Sequence, residues 1–377
     1  MHSDGAERFE TVIIGGGQAG LAAGYHLAKR GVPFVILDAS ERIGDAWRNR
    51  WDSLRLFTPA KYDGLPGWRF PASKWTFPTK DEMADYLEAY AERFDLPVRS
   101  GVSVNGLSRD GDRYVVVSGE RRFEADRIVV ATGAERVPKL PPFAFELDTG
   151  IVLLHSSDYR NPGQLREGDV LVVGLGNSGA EIAFELSKSK RTWLSGKPSG
   201  QIPVRHGSRA SRFGFPIFRF AGTHVLTKGT PIGRKVGPKV ATMAAPLVRV
   251  KTKDLVAAGV ERVPRVVGVR EGKPVLEDDR VLEVANVIWC TGYRQEFSWI
   301  DLPIFGEDGE PVHDRGVVVS EPGMYFMGLI FQYAVASDVL PGVGRDAKYI
   351  ARHIATREAE RRAFVRQLPV TPAGTPR

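Results

Sequence analysis

Two short stretches of this chain obey the same grammar. Residues 12–20 read VIIGGGQAG and residues 171–179 read LVVGLGNSG. In each, aliphatic residues run into glycines spaced G-x-G-x-x-G, and a stretch of small and apolar residues follows. A buried strand, a turn too tight for side chains and a helix packed back on the strand satisfy that pattern together. No other feature restricts the fold as sharply, because the chain must build this strand–turn–helix unit twice.

In the first copy the spacing predicts a strand over Phe9–Ile14, a loop carrying Gly15, Gly17 and Gly20, and a helix over Ala19–Lys29. The first glycine permits the turn, the second lets backbone approach a pyrophosphate, and the third lets helix pack on strand. The helix start, with Gln18 and Ala19 at its mouth, offers free N–H groups and partial positive charge, worth about 0.3–1 kcal/mol to an anion. A second strand, Pro33–Leu37, ends at Asp38, whose carboxylate suits the ribose hydroxyls of an adenosine without a 2′-phosphate. A glycine turn without ligand is the bland alternative, but strand, loop, helix, strand and acid in that order favour a dinucleotide.

The second copy runs from a strand, Asp169–Val173, through Gly174, Gly176 and Gly179 to a helix over Ala180–Lys188. Asn177 and Ser178 add side-chain donors at its mouth, and the next strand, Arg191–Leu194, ends in Ser195-Gly196-Lys197 instead of an acid. A carboxylate there would repel a 2′-phosphate, whereas Ser195 and Lys197 can bind one. The first site therefore fits FAD and the second NADPH, with hydride passing between them. The net charge of +7 agrees: from Leu186 to Lys253 there is no Asp or Glu, while Lys and Arg recur. Such a field suits a polyanion, an acidic membrane or nucleic acid, or is simply a solvated basic face; the 2′-phosphate explains it most economically.

Two further segments, Asp126–Gly133 and Asn286–Arg294, are strands running into small-residue turns. They resemble the crossings between domains of two-dinucleotide flavoproteins, and each follows a β-rich stretch, Val102–Val117 or Val263–Leu282. The expected fold is α/β, with two Rossmann-like dinucleotide-binding domains. Residues 1–163 and 289–377 make a discontinuous FAD-binding domain, and 164–288 make an NADPH-binding domain inserted in it. The two glycine units read as a duplication rather than a solenoid repeat. One cysteine, Cys290, excludes an internal disulfide and a dithiol reductase, and no Cys/His cluster suggests a metal. The polar, acidic start MHSDGAERFE and the lack of a long apolar run predict a cytoplasmic protein.

The motifs in their order resemble class B flavin-dependent monooxygenases: the flavin-containing monooxygenases, the plant indole-3-pyruvate monooxygenases and, more distantly, the Baeyer–Villiger enzymes. The matching pieces are GGGQAG, ERIGDAWRNRWDSLRLFTP, HSSDYR, GLGNSGAEIA, CTGYR and GVGRDAKYIARHI, which span most of the chain. The resemblance implies that Ala46, Trp47, Leu56, Thr132, Gly133 and Asp346 join the first loop around FAD. It places a helix start near Gly344–Asp346 against the flavin ring, and Asn177 and Ser178 at the NADP phosphates. It further implies hydride transfer from NADPH to FAD, formation of a flavin C4a-hydroperoxide with O2, and oxygen transfer to an amine, sulfur or carbonyl compound. The cofactor carries that chemistry, and no side chain is singled out as a catalytic acid or base.

The chain departs from the family twice. In the linker fingerprint Phe-x-Gly-x-x-x-His-x-x-x-Tyr, His155 and Tyr159 keep their spacing, but Gly150 lies five residues before the histidine and the phenylalanine is missing. The stretch Leu54–Pro59 lacks the asparagine of the flavin-containing monooxygenases, as the plant enzymes do. His155 reads as a domain hinge or a capping histidine, and Cys290 as an inert buried thiol. Trp47, Trp51, Trp68 and Trp75 read either as lining for the isoalloxazine or, for most of them, as core packing, and Thr79–Glu82 is a capping box opening a helix over Glu82–Phe94. The segment Arg205–Phe220 interleaves cations with phenylalanines, while Gly207, Gly214 and Pro216 argue against one continuous helix. It reads first as a lid beside the NADPH site, second as a loose membrane contact and only distantly as a nucleic-acid surface. A flavin reductase or oxidase that oxygenates nothing, and a flavoprotein without activity, are the alternatives to a monooxygenase acting on a small molecule and O2. Oligomeric state is left open.

Overall fold

The computed structural model describes residues 6–133, 137–197, 200–242 and 245–367; the first five residues of the N-terminal stretch read above lie outside them. The first unit opens with β1 (Glu7–Ile14), α1 (Gln18–Ala28), β2 (Val35–Leu37), the short α2 (Asp45–Arg48), α3 (Lys80–Arg93) and β3 (Val98–Arg99). A meander follows, β4 (Gly106–Asp110), β5 (Arg113–Ser118) and the long β6 (Arg121–Val130), and then the small β7 (Val137–Pro138). The second unit contains β8 (Val152–His155), β9 (Val170–Val173), α4 (Asn177–Leu186), β10 (Thr192–Ser195), α5 (Arg209–Phe220), α6 (Pro231–Thr242), α7 (Thr252–Ala257) and β11 (Glu261–Val263). It closes with a hairpin of β12 (Val266–Arg270) and β13 (Lys273–Leu276) and with β14 (Asn286–Trp289). The chain returns through β15 (Tyr293–Arg294) and β16 (Met324–Phe326) to the long α8 (Leu340–Gln367).

Each unit is built on a sheet with its glycine-loop strand in the middle, mixed in the first unit and parallel in the second. The first runs β3-β2-β1-β6 and continues from β6 in two directions. One end of that strand pairs antiparallel with β5, and its last three residues pair parallel with β16. The second sheet, β11-β10-β9-β14-β8, is parallel throughout. Superimposing the two orders makes β9 the counterpart of β1 and β14 that of β6, while β8 takes the place of β16. The outermost strand thus follows the others in sequence in one unit and precedes them in the other. Duplication and insertion of the second unit into the first account for both facts, and parallel order with right-handed crossovers is the expected α/β outcome.

The sheets divide the chain slightly differently from the sequence reading. Val152–His155 pairs with Asn286–Trp289 and belongs to the second sheet, so the passage between units precedes residue 163. The reason is long-range pairing that a glycine grammar does not encode. β1 and β9 are buried over their loop-proximal residues, as strands covered on both faces must be. Helix α3 carries the expected capping box, Thr79 with Glu82, and starts at Lys80, two residues before the predicted Glu82.

The segment from Arg205 overturns its expectation, because Arg209–Phe220 is one helix, α5. Gly207 lies before the helix, Ser208 caps it through the Ser211 N–H, and Pro216 lies on the exposed side, where water can satisfy the carbonyl a proline leaves unbonded. A π-helical turn, Ala221–Val225, ends it. Among the described residues, no helix is long and apolar enough to cross a membrane.

Candidate functional site

The two glycine turns repeat one another atom for atom in what they forbid. Gly15 and Gly174 both adopt positive φ, +109° and +114°, under the first residues of the crossing segments. A Cβ on Gly15 would strike the Ala131 backbone carbonyl, and one on Gly174 would strike that of Cys290. Gly20 and Gly179 serve packing: a Cβ on either would overlap the carbonyl oxygen of the first glycine in its own loop. By contrast, a Cβ on Gly17 would meet nothing within 4 Å. The middle glycine therefore borders open space at the start of α1, where a pyrophosphate needs room to approach backbone N–H groups.

At the end of β2, Asp38 closes on the loop. Its Oδ2 accepts the Gly16 N–H at 2.5 Å and its Oδ1 accepts the Ser40 N–H at 2.9 Å, which fixes the carboxylate beside the turn. Gln18 ties α1 to the C-terminal segment, donating from Nε2 to the Asp338 carbonyl at 2.9 Å. Trp47 is half-buried against the main core, Leu56 is buried in it and Ala46 is exposed. Thr132 and Gly133 follow β6, half-buried and exposed, with Gly133 at φ +79°.

Asp346 is fully buried, yet the helix start predicted near Gly344–Asp346 lies earlier. α8 begins at Leu340, leaving Asp346 in its second turn. Arg345 Nε lies 3.2 Å and Arg315 Nη2 3.7 Å from Asp346 Oδ1, while Oδ2 is buried with no hydrogen-bond partner. A buried carboxylate oxygen is expensive to leave unsatisfied, and it is chemically suited to a hydroxyl-rich group. This orphaned acceptor, the open Gly17 and the fixed Asp38 all fit an adenine dinucleotide with a polyol chain. Trp51 Nε1 is likewise buried and unpaired. Trp51 was read from sequence together with Trp47, Trp68 and Trp75, and the arginine pair was not singled out.

The second site separates its predicted residues by role. Ser195 is buried, and its hydroxyl donates to the Pro264 carbonyl at 2.8 Å and accepts the Val266 N–H at 3.1 Å. Asn177 uses its side chain in the same structural way, donating to the Pro246 carbonyl at 3.1 Å and accepting the Val248 N–H at 2.9 Å. Both side chains hold neighbouring segments to the loop, and their polar atoms are taken. Ser178 is half-buried in the first turn of α4, and Lys197 follows β10. Arg262 brings a second cation to the same strand end, donating from Nη2 to the Gly196 carbonyl at 2.8 Å. It was missed because it lies on β11, adjacent in space but distant in sequence.

Some contacts between the units lie at the Asn286–Arg294 crossing. His155 is buried with its Nε2 3.1 Å from the Gly292 carbonyl, and its Nδ1 accepts the Ser157 N–H, which selects the Nε2–H tautomer. Its ring meets Tyr293 edge-on at 5.0 Å, and Arg50 donates to the Tyr293 hydroxyl at 3.2 Å. Tyr159 is fully buried and donates to Glu185 on α4 at 2.7 Å. His155 thus touches the Asn286–Arg294 crossing, and Tyr159 reaches the second loop's helix. Arg249 bonds both Glu181 on α4, at 2.8 Å, and the Arg55 carbonyl of the first unit, at 3.0 Å. Burial lifts the Glu181 carboxyl to about 7 against the opposing pull of Arg249. Burial also pushes the Cys290 thiol up to about 12, so it stays protonated and unreactive.

A family model described as pyridine nucleotide-disulphide oxidoreductase matches residues 12–196, which contain both loops. An uncharacterized CzcO-like oxidoreductase of Geobacillus kaustophilus is 38% identical over 348 residues, covering 92% of this chain and 98% of that protein. A probable indole-3-pyruvate monooxygenase, YUCCA3 of Arabidopsis thaliana, is 31% identical over 387 residues, covering 93% of this chain and 87% of its own. The chain belongs to the class B flavin-dependent monooxygenases. As a member of this family it is an enzyme, a flavin-dependent oxidoreductase, and the family's cofactors are FAD and NADPH. The flavin-containing monooxygenase of Stenotrophomonas maltophilia, 28% identical, aligns over 93% of this chain and 99% of its own with a TM-score of 0.75. A cyclohexanone monooxygenase at 17% identity and TM-score 0.68 shares the fold. For a flavin monooxygenase, the single cysteine is no obstacle, since no dithiol takes part.

Proposed function

We propose that this protein is an NADPH-dependent monooxygenase that transfers one oxygen atom from O2 to a small organic substrate at nitrogen, sulfur or a carbonyl group. The observation that carries the reading is the unequal ending of two otherwise matched units: Asp38 stands fixed at the first strand end, Lys197 and Arg262 at the second. The first loop, Gly15, Gly17 and Gly20, with Gln18, Ala19, Asp38, Ala46, Trp47, Leu56, Thr132, Gly133 and Asp346 holds FAD in this reading. The second loop, Gly174, Gly176 and Gly179, with Ser178 and Lys197, holds NADPH. Asn177 and Ser195 support that site through the backbone they bind.

When bound, FAD takes hydride from NADPH and activates dioxygen for transfer to the substrate. The protein's part is orientation and shelter. The glycine turns aim helix N-termini at the two pyrophosphates. Asp346 would offer an acceptor to the polyol chain, and the His155–Gly292 and Arg249 contacts tie the units that would carry the two nucleotides. Loading the protein with FAD, reducing it with NADPH and mixing it with oxygenated buffer in a stopped-flow instrument tests the proposal. A spectrally distinct species that persists while NADP⁺ is bound supports oxygenation; immediate return of oxidised flavin with stoichiometric peroxide replaces it with the reductase or oxidase reading.

A further inference from the structure

The flavin chemistry leaves one surface unexplained. Helix α5 carries Phe213, Pro216, Ile217 and Phe220 at the i, i+3, i+4, i+7 spacing of one helical face, and all four are exposed. Phe213 is 79% accessible, Ile217 69% and Phe220 59%, far more than scattered surface apolar residues explain when they share one stripe. The opposite side of the helix is occupied: Phe215 stacks on Tyr62 at 5.5 Å, and the Arg219 guanidinium lies 5.5 Å above the same ring. The helix is therefore anchored through its inner side to the first unit's loop, and its outer side is built apolar.

Charge identifies the occupant. Between Arg205 and Lys239 the sequence contains eight Lys and Arg and no Asp or Glu. An apolar stripe on a helix set in an acid-free basic field is the composition of an interfacial helix on an anionic bilayer, where phenylalanines enter the acyl boundary and cations meet phosphate headgroups. A nucleic acid would use aromatic rings as spaced stacking platforms along a groove; a protein partner of the usual kind would bring a mixed-charge rim, with nothing here selecting it. We propose that α5 docks this enzyme on the surface of an anionic phospholipid bilayer through Phe213, Ile217 and Phe220. Because the inner side of the same helix is stacked on Tyr62, docking sets the loop around residues 57–78 beside the lipid.

Flotation of the full-length, FAD-loaded protein with phosphatidylcholine vesicles, with and without phosphatidylglycerol, tests this. The expected result is binding to the anionic vesicles only, weakened by salt. The triple substitution Phe213→Ser, Ile217→Ser, Phe220→Ser should weaken it at least about a hundredfold. It should leave FAD content and the rate of flavin reduction by NADPH unchanged, since these side chains are exposed and outside both nucleotide sites. Arg209→Glu together with Lys235→Glu should weaken binding about tenfold or more. No flotation at low salt overturns the proposal. Binding that survives the triple substitution reduces the contact to general basicity and also overturns it. Concentration-dependent dimers that the triple substitution abolishes, with no vesicle binding, would assign the stripe to a second copy of the chain instead.

Discussion

Replacing Gly179 by alanine should disable one nucleotide site and spare the other. The added methyl would overlap the Gly174 carbonyl oxygen and stand 3.3 Å from the Cys290 Cβ. Ordinary C···O contact needs about 3.3 Å, and the obstacle is backbone on a turn at φ +114°, which has no rotamer to yield. The start of α4 must therefore retreat by more than about 1 Å. Overpacking of this kind costs about 1–3 kcal/mol in stability, less than the stability of an ordinary folded domain. The functional cost is larger, since a misplacement of about 1 Å can lower a rate about 10²-fold. The purified variant should retain FAD at the wild-type ratio, read from the flavin absorbance, while anaerobic reduction by NADPH slows about a hundredfold. Gly20→Ala, the matching change in the first loop, should yield protein that purifies without FAD. A Gly179→Ala protein reduced at the wild-type rate would refute the packing argument. The reverse pattern, with FAD lost from Gly179→Ala and kept by Gly20→Ala, would refute the assignment of cofactors to loops.

Lys197→Glu should raise the KM for NADPH by about 10- to 100-fold, the worth of one charged hydrogen bond, while the KM for NADH stays nearly constant; steady-state oxidation of both cofactors measures it. Burial lifts the Asp63 carboxyl to about 8, against an accepting bond from the Thr58 hydroxyl. The folded chain then keeps a proton that the unfolded chain releases near its ordinary value of 3.8, so stability must fall as pH rises from about 4 to about 8, by at most about 1.4 kcal/mol per pH unit. Asp63→Asn mimics the protonated form, and urea unfolding of this variant should show a flatter stability profile across that window; an unchanged slope would mean the carboxyl is ionised in the fold. Tyr159→Phe removes the 2.7 Å bond to Glu185, and chemical denaturation should report a loss of about 1.5–3 kcal/mol, as for hydrogen bonds to charged groups, with little change in FAD content.

The parts legible in the sequence were those whose determinants lie within one turn or one supersecondary unit. Gly15, Gly20, Gly174 and Gly179 are read correctly because strand, turn and helix are contiguous, and so is the Thr79–Glu82 box. The backbone partners of Asn177 and Ser195 are invisible locally: Pro246, Val248, Pro264 and Val266 each lie about seventy residues downstream. Arg262 and Arg249 escaped notice for the same reason, since each acts across a strand or unit boundary. The error at α5 was of another kind. Proline and glycine were weighed as breakers one by one, whereas on an exposed face a proline bends a helix without ending it.

What varies between enzymes on this plan must therefore lie where neither sheet dictates the chain. Two such segments meet here. Tyr62 receives Phe215 on one side at 5.5 Å and stands 6.3 Å from Trp75, and Trp75 has Arg212 over its ring at 5.8 Å. His206 Nε2 lies 2.9 Å from the Phe57 carbonyl, with its ring packed on Phe77 at 3.9 Å. The loop that follows the Trp47 segment in the first unit and the basic helix of the second are thus fastened to one another by aromatic rings, not by a sheet. Rings stacked across a unit boundary can separate without breaking a ladder. In this architecture the first and third glycines of each loop leave no room for a side chain, whereas at the Tyr62–Phe215 seam side chains can be exchanged at little cost to the fold.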